Sequence, residues 1–506
     1  MAAAAFIMAA CAPVGPDFVK PDADNVGDWT QKLEHGLEPV PAADPDWWKL
    51  FEDPVLNQFV ETGKQRNNNL QIAGLRVLEA RAQLGIAVGS QYPQSQFAAG
   101  NATYISPPDN SGISGNYWQY GLAANASWEF DFWGRFKRGI ESADAAYMAS
   151  IAAYENAELL LIAAIVEAYN AVRTVEEQLR ISRQNLVLQK RSYDITEVLY
   201  KEGSDSELDM QQALTLYLAT ESSIPGLEAV LVQARNALST LLGLPPGTVT
   251  RDLAKSKGIP HIPDQVAIGA PADLLRNRPD VKEAEFIAMA QNALVGLAEA
   301  DLYPSFSLTG SIGLSSGGPG DSDFGDLFSS DALTFSIGPS FVWPFLNYGR
   351  IKNNVRVQDA VLQQALVNYR ETVLQAAREA EDAVAGFIGA SKQAKILADT
   401  VTAAKRSNEL STLQYREGFS GYQRVLDSQQ ALFTQQQRYV DVQSQTVSSL
   451  ISLHKALGNG WQGDVNRPRV DKETIETMRQ RSDWGELLDE EGPQHDEDST
   501  LQPVDW

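Results

Sequence analysis

The sequence predicts a mixed α and β fold made by tandem duplication, in which alternating strands of barrel type lead into very long coiled helices. Three observations carry this expectation. There is an internal repeat at an offset of 215 residues, there are runs of roughly ten residues in which apolar and polar positions alternate, and there are two helical runs of about 65 residues with no proline inside.

The repeat has several separated anchors. Trp128 to Arg135 aligns with Trp343 to Arg350, pairing Trp133 with Tyr348, Gly134 with Gly349 and Arg135 with Arg350. Tyr200 to Gly203 aligns with Tyr415 to Gly418, and Leu241 to Gly243 with Ala456 to Gly458, again at 215. Upstream, Tyr92 and Pro93 match Tyr303 and Pro304 at an offset of 211. Two copies of a unit of about 210 residues are fused head to tail. Each copy reads helix, strand, loop, strand, long helix, turn, return helix. Residues 51–243 form the first repeat and 271–460 the second; 1–10 are a signal remnant, 11–50 an N-terminal segment, 244–270 a linker and 461–506 an acidic tail.

The strands are expected over 97–104, 119–131, 305–315 and 334–343. In 119–131, Tyr120, Leu122, Ala124, Ala126, Trp128 and Phe130 alternate with mostly polar neighbours; in 305–315, Phe306, Leu308, Ile312 and Leu314 alternate with Ser, Thr and Gly. Period two over ten residues suits a strand with one face to lipid and one to a lumen. Aromatic residues near the strand ends fit a membrane-interface belt. The joining segments 105–116 and 316–333 are rich in Gly, Ser, Pro and Asp and read as exposed loops. Four strands cannot close a membrane barrel, and open edges are not tolerated in lipid, so several chains must share one barrel. Three chains of four strands would supply twelve.

The long helices run from near Arg135 to Tyr200 and from near Arg350 to Tyr415, and each would extend ~100 Å. Heptads mark both. One second-copy position holds Val355, Leu362, Tyr369, Ala376, Ala383, Ala390 and Leu397; the other holds Leu366, Val373, Ala380, Phe387, Ala394 and Val401. The first copy holds Ile140, Tyr147, Tyr154, Leu161, Ala168 and Val175 at the first position. At the second it holds Ile151, Ile165, Val172, Leu179, Leu186 and Tyr193, with Glu158 as an exception. Period seven implies left-handed coiled packing. Both helices end at short turns near Gly203 and Gly418, and shorter helices return over 208–242 and 425–458.

Composition excludes several classes. Acidic residues outnumber basic ones 65 to 41, a formal net charge of −24, which argues against nucleic acid as a partner. No stretch near 20 apolar residues follows the first dozen positions, so a helical membrane span is not expected. The single cysteine, Cys11, follows a short run of small apolar residues that resembles the end of a secretory signal. Cleavage before Cys11 and acylation of its thiol are expected, giving a covalent lipid that anchors the chain in a membrane. None of the four histidines, His35, His261, His454 and His495, lies in a zinc or di-iron spacing. Gly313 to Gly317 fits a lipase-type G-x-S-x-G, but it closes an alternating strand and lacks the strand–turn–helix context. No phosphate-binding loop or dinucleotide fingerprint occurs, so no enzyme and no further cofactor are expected and energy must come from a partner. After Trp461 the tail is polar and acidic, and disorder is expected in the final twenty residues.

Five segments in this order resemble the outer-membrane factor family, the TolC-like exit ducts of tripartite efflux pumps, and most of all its lipoprotein branch. They begin at Cys11 (CAPVGPDFVKP), Asn277 (NRPDVKEAE), Leu302 (LYPSFSLTGSIG), Phe345 (FLNYGRIKNN) and Tyr415 (YREGFSGYQRVLDSQQAL), and the resemblance covers roughly residues 11–460. It implies a homotrimer with a twelve-stranded outer-membrane β-barrel, a periplasmic α-helical barrel and a small equatorial domain built from 12–50, 244–270 and the residues after 460. It also implies a periplasmic adaptor and an inner-membrane resistance-nodulation-division pump as partners. In the family the tunnel closes at its periplasmic tip through polar residues. The matching positions are Asp427 and Tyr415, with Arg424 where some members carry a second aspartate. The first-copy tip adds Asp205, Glu207 and Asp209. An Arg424–Asp427 pair, or a bond from Arg424 to a neighbouring chain, could replace the double aspartate. Alternatively, Asp427 and Asp209 merely cap or flank helix starts. A ring of carboxylates at a constriction would attract cations, so the resting tip is expected to be closed and weakly cation-selective. The function expected is passive exit of drugs or other small solutes through the cell outer membrane. Export of proteins or metal ions, or a non-pore envelope lipoprotein, are the alternatives.

Overall fold

A computed structural model describes residues 13–21, 37–39, 46–108, 110–112, 115–263, 266–268, 278–318, 323–460 and 468–488. Cys11, the signal remnant and Asn277 lie outside the described residues.

The strands are β1 (Leu37–Pro39), β2 (Ser95–Ile105), β3 (Tyr117–Phe130), β4 (Val266–Ile268), β5 (Ser305–Ser316) and β6 (Leu333–Val342). β1 and β4 form a small parallel pair; the other four make an antiparallel sheet in the order β2-β3-β5-β6. Directly opposed residues share a face, so the register sorts the side chains. Trp128 opposes Leu308, Phe130 opposes Phe306, and Phe306 opposes Phe341 on one face. Asn125 opposes Ser311, and Ser311 opposes Ser336, on the other. Across β3, β5 and β6 one face is therefore mainly aliphatic and aromatic and the other mainly hydroxyl and amide; on β2, Phe97 opposes Asn125 on the polar face and Gln96 opposes Ala126 on the apolar one. Phe335 and Ile337 are 69% and 63% exposed on the apolar face, which suits lipid and not water. Strand β2, the weakest in sequence, is longer than the expected 97–104 because Ser95 and Gln96 at one end and Ile105 at the other also pair with β3. The loop before β6 is more ordered than its composition suggests. Short 3-10 turns at Phe324–Phe328 and Ser330–Ala332 bury Leu327 and Ala332, and Phe324 packs edge-on against Tyr120, with ring centres 5.2 Å apart.

The helices are α1 (Pro54–Arg66), α2 (Asn68–Gly89), α3 (Arg135–Lys201), α4 (Glu207–Leu241), α5 (Thr250–Leu253), α6 (Pro279–Ala300), α7 (Arg350–Arg416), α8 (Gln423–Ala456) and α9 (Lys472–Arg481). α3 and α7 have 67 residues each, about 100 Å of helix. Both start after a glycine in the left-handed region, Gly134 at φ 75° and Gly349 at φ 81°, a conformation that costs a residue with a Cβ. Both end the same way. Gly203 and Gly418 are left-handed, and the next amides turn back to Leu199 O and Gln414 O, each at 2.8 Å, the pattern of a Schellman stop.

The heptad residues behave as expected: none of those named is exposed. Glu158, the exception, is buried too. It pairs with Lys64 on α1 at 2.8 Å, and Lys64 Nζ sits 5.7 Å over the Trp48 ring. A buried charge is tolerated when it is paired. α3 is also the one described helix with an 18-residue window apolar enough to pass for a membrane span, but 56% of that window is buried within the chain.

The main core lies at mid-height, where α1, α2, the middle of α3 and α7, and the C-terminal ends of α4 and α8 meet around Trp47, Trp48 and Tyr169. Asp53 caps α1 through Val55 N at 2.9 Å and accepts Ser256 Oγ at 2.8 Å and the Tyr169 hydroxyl. Burial alone would raise this carboxyl, but the Tyr169, Ser256 and amide bonds outweigh it and hold it below its ordinary value. His454 stacks on Trp47 with ring centres 4.8 Å apart, and full burial pushes its pKa down to about 3, so it stays neutral.

Beyond residue 467 the chain is not only an acidic tail. Val470 and Met478 are buried, α9 forms, and Arg81 Nη1 of α2 donates to Leu487 O at 3.0 Å. Two buried apolar side chains in a charged stretch are too weak a pattern to read in sequence. The disorder expected in the final twenty residues concerns 487–506, of which 489–506 lie outside the described residues.

Candidate functional site

The two hairpins, α3–α4 and α7–α8, turn at the same end, and their turns meet there. The Tyr415 hydroxyl of α7 donates to Asp205 Oδ2 in the other turn. Asp205 Oδ1 accepts Ser206 N at 3.0 Å. Ser206 caps α4: its Oγ accepts Asp209 N at 3.1 Å and donates to Asp209 Oδ2 at 2.7 Å. Asp209 thus flanks the helix start, as one sequence reading allowed, and Ser206 supplies the cap. Tyr422 lies edge-on to Tyr415, with ring centres 5.5 Å apart, and is buried with Ala213 and Val425.

The electrostatics follow from this crowding. Burial, then the Asp205 carboxylate, holds Asp209 above its ordinary range, against the Ser206 bond. Burial and the bond to Asp205 push the Tyr415 phenol up. Burial pushes Tyr422 up to about 12, with the charges of Asp209 and Asp205 adding to it and Ser192 opposing. Two carboxylates and two phenols therefore share one half-buried patch, and the cheapest way to relieve it is a proton on Asp209.

The structure thus gathers Asp205, Asp209 and Tyr415, and adds Tyr422 and Ser206, which sequence reasoning missed. It leaves the other three apart. Glu207 is exposed in the first turn of α4. Asp427 is exposed and accepts Gln423 Nε2 at 2.8 Å. Arg424 is exposed and forms no ion pair among the described residues. Among the described residues no Arg424–Asp427 ion pair forms; Asp427 Oδ1 accepts from Gln423 Nε2.

At the opposite end the N-terminal segment is fixed to the base of the sheet. Val14 N donates to Trp133 O at 2.9 Å, and Pro13 lies so close to Gly134 that a Cβ there would meet it at 2.5 Å. Arg138 holds the segment through Val14 O at 3.1 Å, Gly15 O at 3.2 Å and Asp17 at 2.9 Å. Among the described residues no group of three or more His, Cys, Asp or Glu is placed to hold a metal.

The layout is a duct wall: a sheet with one lipid face and one hydroxyl face, joined to long coiled helices that end at a polar tip. A sequence profile for outer membrane efflux protein matches residues 60–244 and 270–459, once per repeat. The chain belongs to this family. The probable efflux pump outer membrane protein TtgC of Pseudomonas putida is 30% identical over 471 residues, covering 91% of this chain and 95% of that protein. The cation efflux system protein CusC of Escherichia coli is 31% identical over 462 residues, covering 89% and 96%. The solved outer-membrane channel OprN superposes with a TM-score of 0.82 at 30% identity, covering 89% of this chain and all of that one. The protein is therefore an outer-membrane component of an efflux system, an exit channel and not an enzyme. The non-pore reading is set aside.

Proposed function

We propose that three copies close one barrel and one helical tube, and that the trimer passively conducts small organic solutes delivered by an inner-membrane resistance-nodulation-division pump through a periplasmic adaptor. The observation that carries this is the sheet itself: apolar outside, hydroxyl-lined inside, and unpaired among the described residues at β2 and β6. An open sheet in lipid needs partners on both edges. The helices agree, because the free flanks carry exposed apolar residues, Ile72 and Ile86 on α2, Val230 and Val232 on α4, Val361 and Ile396 on α7. In the sequence Cys11 precedes Pro13 by two residues, and Pro13 lies against Gly134 at the base of the sheet. That position suits an acyl anchor at the membrane surface. In this reading Tyr415, Asp205 and Asp209 hold the tip closed, and Asp427, Glu207 and Arg424 face the opening or a neighbouring chain.

The test is reconstitution of purified trimers in planar bilayers, together with deletion of the gene and measurement of susceptibility across organic compounds. Loss of tolerance to organic compounds with conserved metal tolerance is the expected outcome. The reverse pattern would favour a second reading, export of metal cations, which the acidic tip and the likeness to CusC support. Labelled palmitate incorporated by the wild type and not by Cys11→Ser tests the anchor.

A further inference from the structure

Each chain carries a template for its contact with the next copy. The inference rests on the shared-barrel reading above. Within one chain the second strand of the first repeat meets the first strand of the second repeat. Trp133 stacks on Tyr303 with ring centres 4.6 Å apart, and its Nε1 donates to Pro304 O at 2.8 Å. The repeat counterpart of Trp133 is Tyr348, and that of Tyr303-Pro304 is Tyr92-Pro93. Tyr348 has no such platform among the described residues of its own chain. It is 97% exposed and sits at φ 49°, a left-handed backbone that L side chains adopt at a cost. The two repeats otherwise follow the same local geometry. Trp128 Nε1 donates to Gln91 O and its counterpart Trp343 to Leu302 O, both at 3.1 Å.

We infer that Tyr348 is a seam residue that packs on Tyr92-Pro93 of the next copy, where β6 pairs with the next copy's β2 in one defined register. The register follows from the pairings already present. Gln96 opposes Ala126 as Phe306 opposes Phe341, so β3 maps onto β6 by 215 positions and β2 onto β5 by 210. The connector maps by 211, so the first repeat holds one extra residue between Pro93 and Gln96. Gln94 accounts for it: its side chain bonds Glu129 N at 2.7 Å and Glu129 O at 3.2 Å, as a paired strand would. Applied to Asn125 opposite Ser311, the mapping sets Ser340 opposite Asn101 of the next copy. Applied to Trp128 opposite Leu308, it sets Trp343 opposite Ala98 of the next copy. Both pairs keep polar with polar and apolar with apolar. A slip of one residue would turn Trp343 against the hydroxyl face.

The experiment uses the full chain with Ser340→Cys and Asn101→Cys together, oxidised in membranes and run without reductant. Opposed antiparallel residues lie about 4.5–5.5 Å apart at Cα, inside the disulfide window. A ladder of covalent dimer and trimer that collapses on reduction is expected. Ser340→Cys with Thr103→Cys, displaced by two residues on the same face, should give none. A ladder in the second pair and not in the first overturns the register. No ladder in either pair from a chain that native mass spectrometry shows to be trimeric overturns the β6–β2 seam. A monomer by native mass overturns the shared barrel itself. For the aromatic contact, Tyr348→Ala and Tyr92→Ala should each lower the temperature at which the trimer dissociates, the double variant should go no lower, and Tyr348→Trp should hold the wild-type value. An unchanged temperature in Tyr348→Ala overturns it.

Discussion

Removal of one hydroxyl at the tip gives the sharpest test of the closed state. In Tyr415→Phe the ring keeps its packing against Tyr422 and loses only the bond to Asp205. A hydrogen bond to a charged acceptor contributes ~1.5–3 kcal/mol. Tyr415 is half-buried, so solvent screening places it near the lower end. About 1.5 kcal/mol is roughly tenfold in an equilibrium constant. Three subunits opening together would shift the balance of closed to open by about a thousandfold. The assay is single-channel recording in planar bilayers, read as open probability at neutral pH. Asp205→Asn keeps a weaker acceptor and should move the same way by less. The double variant should not exceed Tyr415→Phe by more than experimental scatter, because both act on one bond. An open probability unchanged in Tyr415→Phe, in trimers of normal thermal stability, would refute the idea that this bond holds the tip closed.

Acidity should act through Asp209. Its carboxyl is held above the ordinary 3.8 by burial and by Asp205, so the closed tip binds a proton more tightly than an open one. That contribution to closure is fully present below 3.8 and is lost as pH rises through the raised value, so open probability should fall on acidification, and Asp209→Asn should show the low-pH behaviour at neutral pH. Glu158→Ala leaves Lys64 buried without its partner and should cost ~3–5 kcal/mol of trimer stability in thermal dissociation, whereas Glu158→Leu with Lys64→Met should recover most of it. Gly134→Ala forces a Cβ onto Pro13 at a left-handed position, so it should free the N-terminal segment to added protease while the helices stay folded. Asp427→Ala should weaken block of the channel by divalent cations if that exposed carboxylate faces the opening; unchanged block would assign it to the outer surface.

Much of the fold was legible because it is periodic. Strand alternation and the heptads repeat every two and seven residues, and the duplication printed each pattern twice. The heptad even marked its own exception at Glu158, though not the reason, because Lys64 is 94 positions earlier and on another helix. The tip was half legible. Repeat alignment and family likeness singled out Tyr415, Asp205 and Asp209, but Tyr415 and Asp205 are 210 residues apart and no local rule joins them. Tyr422 carried no signal in the sequence; its burial against Tyr415 is what gives it a role. Arg424 and Asp427 read as a possible pair one turn apart, and among the described residues the partner found for Asp427 is Gln423.

The sequence by itself determined the kind of wall this chain builds. Period two makes a two-faced sheet, period seven makes a coiled helix, and one glycine ends each long helix where its tip turns. Those are short-range consequences of backbone geometry and of which side chains water rejects. The tertiary structure alone decided what meets across the chain: that Trp133 rests on Tyr303 while Tyr348 stands exposed, that Arg138 ties the N-terminal segment to the base of the sheet, and that Asp205 meets Tyr415. Such contacts depend on how two hairpins pack over about 100 Å, a sum of many small fits that no single window of sequence contains.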